Sequence, residues 1–177
     1  GDIINDLVEC FKLYNYQAAP VAAMFAGHNT TETGRNIYDF IKNNIAYNAE
    51  PDRNQTTRSF ARIINDKSGD CKHTALTVAS IGWQLGYNVI FRFVNYEDKT
   101  KHFGHVYTIL ENPKTRQRVI VDTLQNFNYQ KPVKRSVDYL AINEPKNKNM
   151  TLSRLTGNPD ELNGVGEIID VNGVGTI

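Results

Sequence analysis

The chain has 177 residues, 40% of them hydrophobic, which is enough for one domain with its own core. Its 20 basic and 19 acidic side chains leave a formal charge of +1, so neither nucleic acid nor an anionic membrane is expected as a partner. No stretch approaches the roughly 18 apolar residues of a membrane span, and two cysteines are too few for a disulfide framework.

The first part of the chain is predicted to be helical, because apolar residues recur there at spacings of three and four. The predicted helices cover approximately residues 7–14, 18–25, 31–45 and 59–65. Residues 48–57 are polar and contain Pro51, which indicates a loop. Cys10 lies on the apolar stripe of the first helix and is therefore expected to have a structural role.

A fifth helix and a sheet are predicted next. Ser68-Gly69-Asp70 is a helix-start signal, and a long helix is expected from about Cys71 to Leu85, where Gly86 ends it. Alternating patterns then predict strands at 89–94, 102–110 and 118–123, with weaker ones at 136–142 and 150–155. Helices followed by an antiparallel sheet indicate a single α+β domain over residues 1–156. Residues 157–177 repeat a Gly/Asn-rich segment and are expected to form a hairpin or a flexible tail.

Cys71 is the strongest candidate for a catalytic residue. A helix start presents free backbone N–H groups and a partial positive charge, which together stabilise a thiolate. The same N–H groups can bind the oxyanion of a tetrahedral intermediate. Gly69 allows a tight turn just before this point and leaves room for a substrate. The position of Cys71 therefore makes it a plausible nucleophile, and its polar neighbours Asp70 and Lys72 argue against a buried structural thiol.

A thiolate needs a base, and the base needs an acceptor that orients it. His105 and Asp122 lie on consecutive predicted strands, joined by a turn-rich stretch around Pro113 and Lys114. A hairpin centred between those two turn residues would place His105 directly opposite Asp122, with Cβ atoms about 5 Å apart. An imidazole–carboxylate hydrogen bond is within reach at that distance. The sequence thus predicts a catalytic triad of Cys71, His105 and Asp122.

Two other interpretations of polar and aromatic residues were weighed. His73 and His102 could suggest a metal site, but the pairs Cys71-x-His73 and His102-x-x-His105 diverge on a helix and a strand respectively. No metal is therefore expected, and His73 is predicted on the solvent side of its helix and His102 at a strand start. Tyrosines could line a substrate groove, although packing is the favoured interpretation; they are Tyr47, Tyr87, Tyr96, Tyr107 and Tyr129.

These motifs together resemble the transglutaminase-like superfamily over about residues 57–123. The matching segments are Gly69-Asp70-Cys71-Lys72-His73-Thr74-Ala75-Leu76, Leu85-Gly86-Tyr87-Asn88-Val89, Gly104-His105-Val106-Tyr107 and Val119-Ile120-Val121-Asp122-Thr123. That family shows a G-x-C helix start, a helix ending in L-G, a strand beginning with His and a strand ending in Asp, in this order. Many members also carry a Trp near the Asp strand, whereas the only Trp here is Trp83, which is interpreted as a core residue.

The resemblance implies a papain-like α+β fold in which the nucleophile helix packs on an antiparallel sheet. It also implies thiol acyl chemistry without a metal or organic cofactor. His105 would take the proton of Cys71, and Asp122 would fix the tautomer of His105. The backbone N–H of Cys71 would form part of the oxyanion hole. A side-chain donor is also expected upstream, and Gln55 is the candidate by residue type.

The expected function is therefore acyl transfer at an amide, most simply hydrolysis of a protein or peptide substrate through a thioester. If an amine resolved the thioester, the protein would instead be a transglutaminase. A third possibility is a non-catalytic assembly module of a bacterial or phage particle that retains the fold. The start of the chain lacks the pattern of a signal peptide, but removal of a signal would leave the same start, so this does not fix the compartment. A soluble cytoplasmic or virion-associated protein is expected rather than a disulfide-rich secreted one.

Overall fold

Five helices precede the main sheet in a computed structural model of the chain. The structure describes residues 3–51, 55–97 and 102–144, together with the backbone of 166–170. The helices are α1 (Ile3–Tyr14), α2 (Ala19–Ala22), α3 (Thr30–Asn44), α4 (Phe60–Asp66) and α5 (Cys71–Gln84). Their positions confirm the helices predicted from apolar spacing. In the described ranges, none of them combines the length and the apolar character needed to cross a membrane.

An antiparallel sheet of five strands forms the second half of the molecule, which confirms the α+β class. The strands are β3 (Asn88–Asn95), β4 (His105–Glu111), β5 (Arg118–Val121), β6 (Arg135–Ala141) and β7 (Gly166–Asp170), in the order β5-β4-β3-β6-β7. The weaker strand predicted at 136–142 is thus confirmed, and the one at 150–155 lies outside the described residues. Within the segment predicted as a hairpin or tail, β7 joins the sheet as an edge strand.

A small parallel bridge lies beside the start of α5 and has no counterpart among the sequence predictions. Strand β1 (Ala46–Tyr47) pairs with β2 (Ser68–Gly69), with Tyr47 opposite Gly69. The amide of Ala46 donates to the carbonyl of Lys67, and the amide of Asn48 donates to the carbonyl of Gly69, both at 2.9 Å. These bonds attach the chain after α3 to the turn that precedes the nucleophile helix.

The predicted pairing of β4 with β5 is wrong by two residues. Thr108 pairs with Val121, whereas the predicted register would pair it with Val119. Asp122 is therefore not directly opposite His105. The cause is the loop, which is longer than predicted: the Asn112 side chain accepts from two following amides, and Arg116 adopts a left-handed conformation with φ 64°. Because side chains alternate between faces with a period of two, this displacement leaves His105 and Asp122 on the same face.

Helix α5 lies at the centre of the molecule and is buried nearly all round. Residues 72–83 are all buried, as expected for a helix covered both by the sheet and by other helices. The hydroxyl of Thr108 on β4 donates to the carbonyl of Ala75 at 2.7 Å, which ties the helix to the sheet. Trp83 packs edge-to-face on Phe11 with ring centroids 5.6 Å apart, which confirms its predicted place in the core.

Candidate active site

The start of α5 is held by a reciprocal capping arrangement. Asp70 is the N-cap, and its side chain accepts from the amides of Lys72 and His73, while the Asp70 amide donates to Nδ1 of His73 at 3.2 Å. The Thr74 amide donates to the Asp70 carbonyl. Within the described part of the chain, the Cys71 amide is thus the first-turn N–H group with no hydrogen-bond partner.

His73 is buried rather than on the solvent side, so that prediction is wrong. Its side chain has no exposed surface, because the ring turns back onto Asp70 to complete the cap. A Cβ placed on Gly69 would lie only 2.6 Å from the Cβ of His73, so glycine is required for this close approach. His73 therefore has a structural position in the first turn of α5, close to Cys71.

Lys72 is a buried cation next to the nucleophile, and sequence reasoning missed it. Its ammonium group is 3.1 Å from the Glu50 carboxylate and 2.9 Å from Gln55 Oε1, and it also pairs with the Asp70 carboxylate. Burial raises the pKa of Asp70, but hydrogen bonds from His73 and Lys72 outweigh it and hold the value at about 2. The cluster links the loop after β1 to the first turn of α5.

Gln55 belongs to this cluster. Its amide nitrogen donates to the backbone carbonyl of Glu50 at 3.0 Å, and its oxygen accepts from Lys72. Gln55 is not among the residues that line the pocket around Cys71. Its amide is thus directed to the loop in this structure, not to the place predicted for an oxyanion donor.

His105 and Asp122 form a buried hydrogen-bonded pair. Nε2 of His105, at the first position of β4, is 2.7 Å from Oδ2 of Asp122, which directly follows β5. Only 9% of His105 and 4% of Asp122 is exposed, so water competes little for this contact. The other carboxylate oxygen accepts from the Leu124 amide at 3.1 Å. Asp122 is therefore fixed from both sides and orients the imidazole.

The side chain of Cys71 lines the same pocket as His105 and Asp122. Burial lowers the pKa of His105, but hydrogen bonds to Asp122 and Cys71 outweigh it and raise the value to about 9. At neutral pH the His105 ring is thus the cationic imidazolium, with a proton on each nitrogen. Nε2 is engaged by Asp122, which leaves Nδ1 as the ring nitrogen that can face the thiol.

Two tyrosine rings flank the imidazole. The centroid of the His105 ring lies 6.0 Å from that of Tyr96 and 5.9 Å from that of Tyr107. Lys131 places its ammonium group 4.5 Å from the Tyr96 centroid. Aromatic faces carry negative charge density and favour a neighbouring imidazolium. The tyrosines therefore limit rotation of His105 and support its protonated form.

One pocket contains all three predicted triad residues. It is lined by Tyr47, Cys71, Thr74, His105, Val106, Tyr107, Val121, Asp122, Thr123 and Leu124. Tyr47 and Leu124 are about half exposed, so they form the outer part of the pocket. The arrangement can present a thiolate, a proton on an imidazole and a backbone N–H to the same bound carbonyl group.

The second cysteine and the remaining histidines lie apart from this pocket. Cys10 packs against the core as predicted, and burial raises the pKa of its thiol to about 11. Both cysteines are free. His102 precedes β4, which begins at His105 and not at 102 as predicted. Across residues 3–51, 55–97 and 102–144, no three His, Cys, Asp or Glu side chains are grouped so as to hold a metal ion.

Comparison with solved structures gives a structural neighbour, whereas comparison with sequences gives no match. No protein-family model and no curated protein matches the sequence. Among solved structures, the fold is similar to that of a protein from Parabacteroides distasonis described as a "putative protease", with a TM-score of 0.50 and 14% sequence identity. The match covers 95% of this chain and 30% of that protein. The chain thus shares its α+β arrangement with less than a third of a longer protein.

Proposed function

We propose that the protein is a cysteine-dependent hydrolase of peptide or amide bonds, with a transglutaminase-like, papain-like arrangement of its active site. The observation that carries this proposal is the 2.7 Å contact of His105 with Asp122 in the pocket that also contains Cys71. A buried imidazole that bonds to a carboxylate, in the same pocket as a helix-start thiol, is the expected form of a thiol nucleophile with its base. The structural neighbour's description as a protease is consistent with this class of reaction.

The reaction would proceed in two stages. The Cys71 sulfur attacks the carbonyl carbon, and the electron pair of the C=O bond moves to oxygen. When the C=O bond reforms, the C–N bond breaks and His105 gives its proton to the leaving amine. His105 then takes a proton from water, which attacks the thioester and releases a carboxylic acid and the Cys71 thiolate. Asp122 keeps the imidazole oriented throughout, and the amide of Cys71 donates to the oxyanion.

Competitive alkylation tests the nucleophile, because the chain contains its own control. Iodoacetamide at neutral pH is expected to modify Cys71 well before Cys10, whose thiol is half-buried and has a raised pKa. His105→Ala and Asp122→Asn should slow alkylation of Cys71 and leave that of Cys10 unchanged. Equal labelling of both cysteines, or labelling of Cys71 that is indifferent to His105→Ala, would contradict the assignment.

A peptide-library screen tests the reaction itself. Incubation with the wild type, followed by mass spectrometry, is expected to give cleaved peptides that the Cys71→Ala variant does not produce, whereas Cys10→Ala should behave as the wild type. A parallel incubation with a primary amine distinguishes the acceptor: hydrolysis gives free carboxylates, and transamidation gives amine adducts. Amine adducts without cleaved peptides would indicate transglutaminase activity instead of hydrolysis. The absence of both products would refute acyl transfer.

A further inference from the structure

Tyr47 is attached to the nucleophile helix by backbone hydrogen bonds, although 24 positions separate it from Cys71. The β1–β2 bridge sets Tyr47 opposite Gly69, the residue just before the N-cap of α5. The flanking amides of Ala46 and Asn48 each donate to a backbone carbonyl across the bridge at 2.9 Å. The backbone of Tyr47 is therefore held in a fixed position relative to the first turn of α5.

Tyr47 is one of the residues that line the pocket, and its hydroxyl is available to a substrate. Tyr47 lines the same pocket as Cys71 and His105 and is 49% exposed, so a bound substrate can reach it. Among the described residues, none forms a hydrogen bond with its hydroxyl. Gln55, the other candidate donor, is bonded to Glu50 and Lys72.

The phenol remains a donor at any pH at which the thiol chemistry operates. Burial raises the pKa of Tyr47, and the negative charges of Cys71, Asp70 and Asp122 raise it further. A neutral hydroxyl beside a nucleophile can donate to the negative oxygen that forms when the nucleophile adds to a carbonyl.

We propose that the Tyr47 hydroxyl is the side-chain donor of the oxyanion hole, acting together with the backbone N–H of Cys71. This rests on the acyl-transfer function proposed above and names a catalytic residue for it. As the sulfur adds to the substrate carbonyl, the carbonyl oxygen gains the electron pair of the broken π bond and accepts a hydrogen bond from Tyr47. When the C=O bond reforms and the leaving group departs, that hydrogen bond weakens again, and Tyr47 keeps its proton throughout.

Two reagents separate this role from an effect on the thiol. Iodoacetamide is attacked at a saturated carbon and forms no oxyanion, whereas p-nitrophenyl acetate is attacked at a carbonyl and does. Tyr47→Phe is expected to lower the rate of acylation by p-nitrophenyl acetate by about 100- to 1000-fold, in kcat and not in KM, because removal of one oxyanion-hole donor has about this effect. Alkylation of Cys71 by iodoacetamide should change less than about 2-fold, well below that effect.

Tyr129→Phe is the matched control, since Tyr129 is 48% exposed and does not line the pocket. It should leave both rates unchanged, and circular dichroism should show that both variants are folded. Equal losses in both reactions for Tyr47→Phe, or no loss in either, would overturn the role of Tyr47 while Cys71 remains reactive. A wild type that reacts with neither reagent at Cys71 would instead refute the proposed function, and with it this assignment.

Discussion

The proton on His105 makes the stability of the protein depend on pH in a definite direction. Burial lowers its pKa, but hydrogen bonds to Asp122 and Cys71 raise it from 6.5 to about 9. That difference corresponds to about 3 kcal/mol, at about 1.4 kcal/mol per pH unit. Between these values the folded protein holds a proton that the unfolded chain has released. This stabilisation is therefore complete below about pH 6.5 and is lost as the pH rises through about 9.

The assay must separate His105 from the thiol, because a proton exchanged between His105 and Cys71 would conceal part of the slope. We would compare Cys71→Ala with the double variant Cys71→Ala/His105→Gln by urea unfolding from about pH 6 to pH 10. In this background Asp122 is the remaining partner that raises the pKa of His105, so the expected loss is smaller than about 3 kcal/mol. NMR of the imidazole gives the midpoint directly in the wild type.

Two results would refute this reasoning. The first is an identical pH dependence of the free energy of unfolding in the single and double variants, which would mean that the imidazole–carboxylate pair contributes nothing. The second is a wild-type NMR midpoint for His105 at or below 6.5, the ordinary value. That midpoint would show that burial outweighs the hydrogen bonds to Asp122 and Cys71.

Three further substitutions test the surroundings of the site. Lys72→Met should destabilise the fold by about 3–5 kcal/mol in urea unfolding, because it leaves two carboxylates without their buried cation. Gly82→Val should destabilise by about 1–3 kcal/mol in the same assay, because any Cβ there meets the Leu110 side chain across the helix–sheet contact. Tyr96→Leu should lower the NMR midpoint of His105 by about half a pH unit, because an aromatic face no longer adjoins the imidazolium.

Each of these has a control on the same chain. Lys114→Met, in the exposed β4–β5 loop, should change stability by less than about 0.5 kcal/mol. Gly104→Ala adds a Cβ where nothing lies within 4 Å and should also be tolerated. Tyr16→Leu, at a residue 62% exposed, should leave the His105 midpoint unchanged. If a control substitution had the same effect as the substitution it is compared with, the contact proposed as the cause of that effect would be excluded.

The element order could be predicted, and Cys71, His105 and Asp122 could be singled out, because their signals are local. Apolar spacing changes from a helical period to alternation near Gly86, and Cys71 directly follows a helix-start signal. The predicted register is wrong by two residues, yet His105 and Asp122 still form a hydrogen bond. A displacement of two leaves both side chains on the same face of the sheet. The length of the intervening loop depends on the left-handed conformation of Arg116. Arginine rarely adopts that conformation, so the sequence does not predict it.

The buried polar residues around Cys71 could not be predicted in the same way. Lys72 and His73 are polar neighbours of the nucleophile, and polar residues beside a helix start are usually solvated. Their burial depends on partners such as Glu50 and Gln55, about 20 positions away. The β1–β2 bridge is two residues long on each strand, too short to give an alternating pattern. Long-range contacts of this kind become visible only in three dimensions.

The β4–β5 hairpin offers an attachment point for labels and surfaces. His105 and Asp122 lie at its open end, whereas the loop containing Lys114 lies at the opposite end of β4. Six strand steps of about 3.3 Å separate His105 from Glu111, so the loop is about 20 Å from the imidazole. A tether joined to this loop would leave the pocket open at the far end of the hairpin.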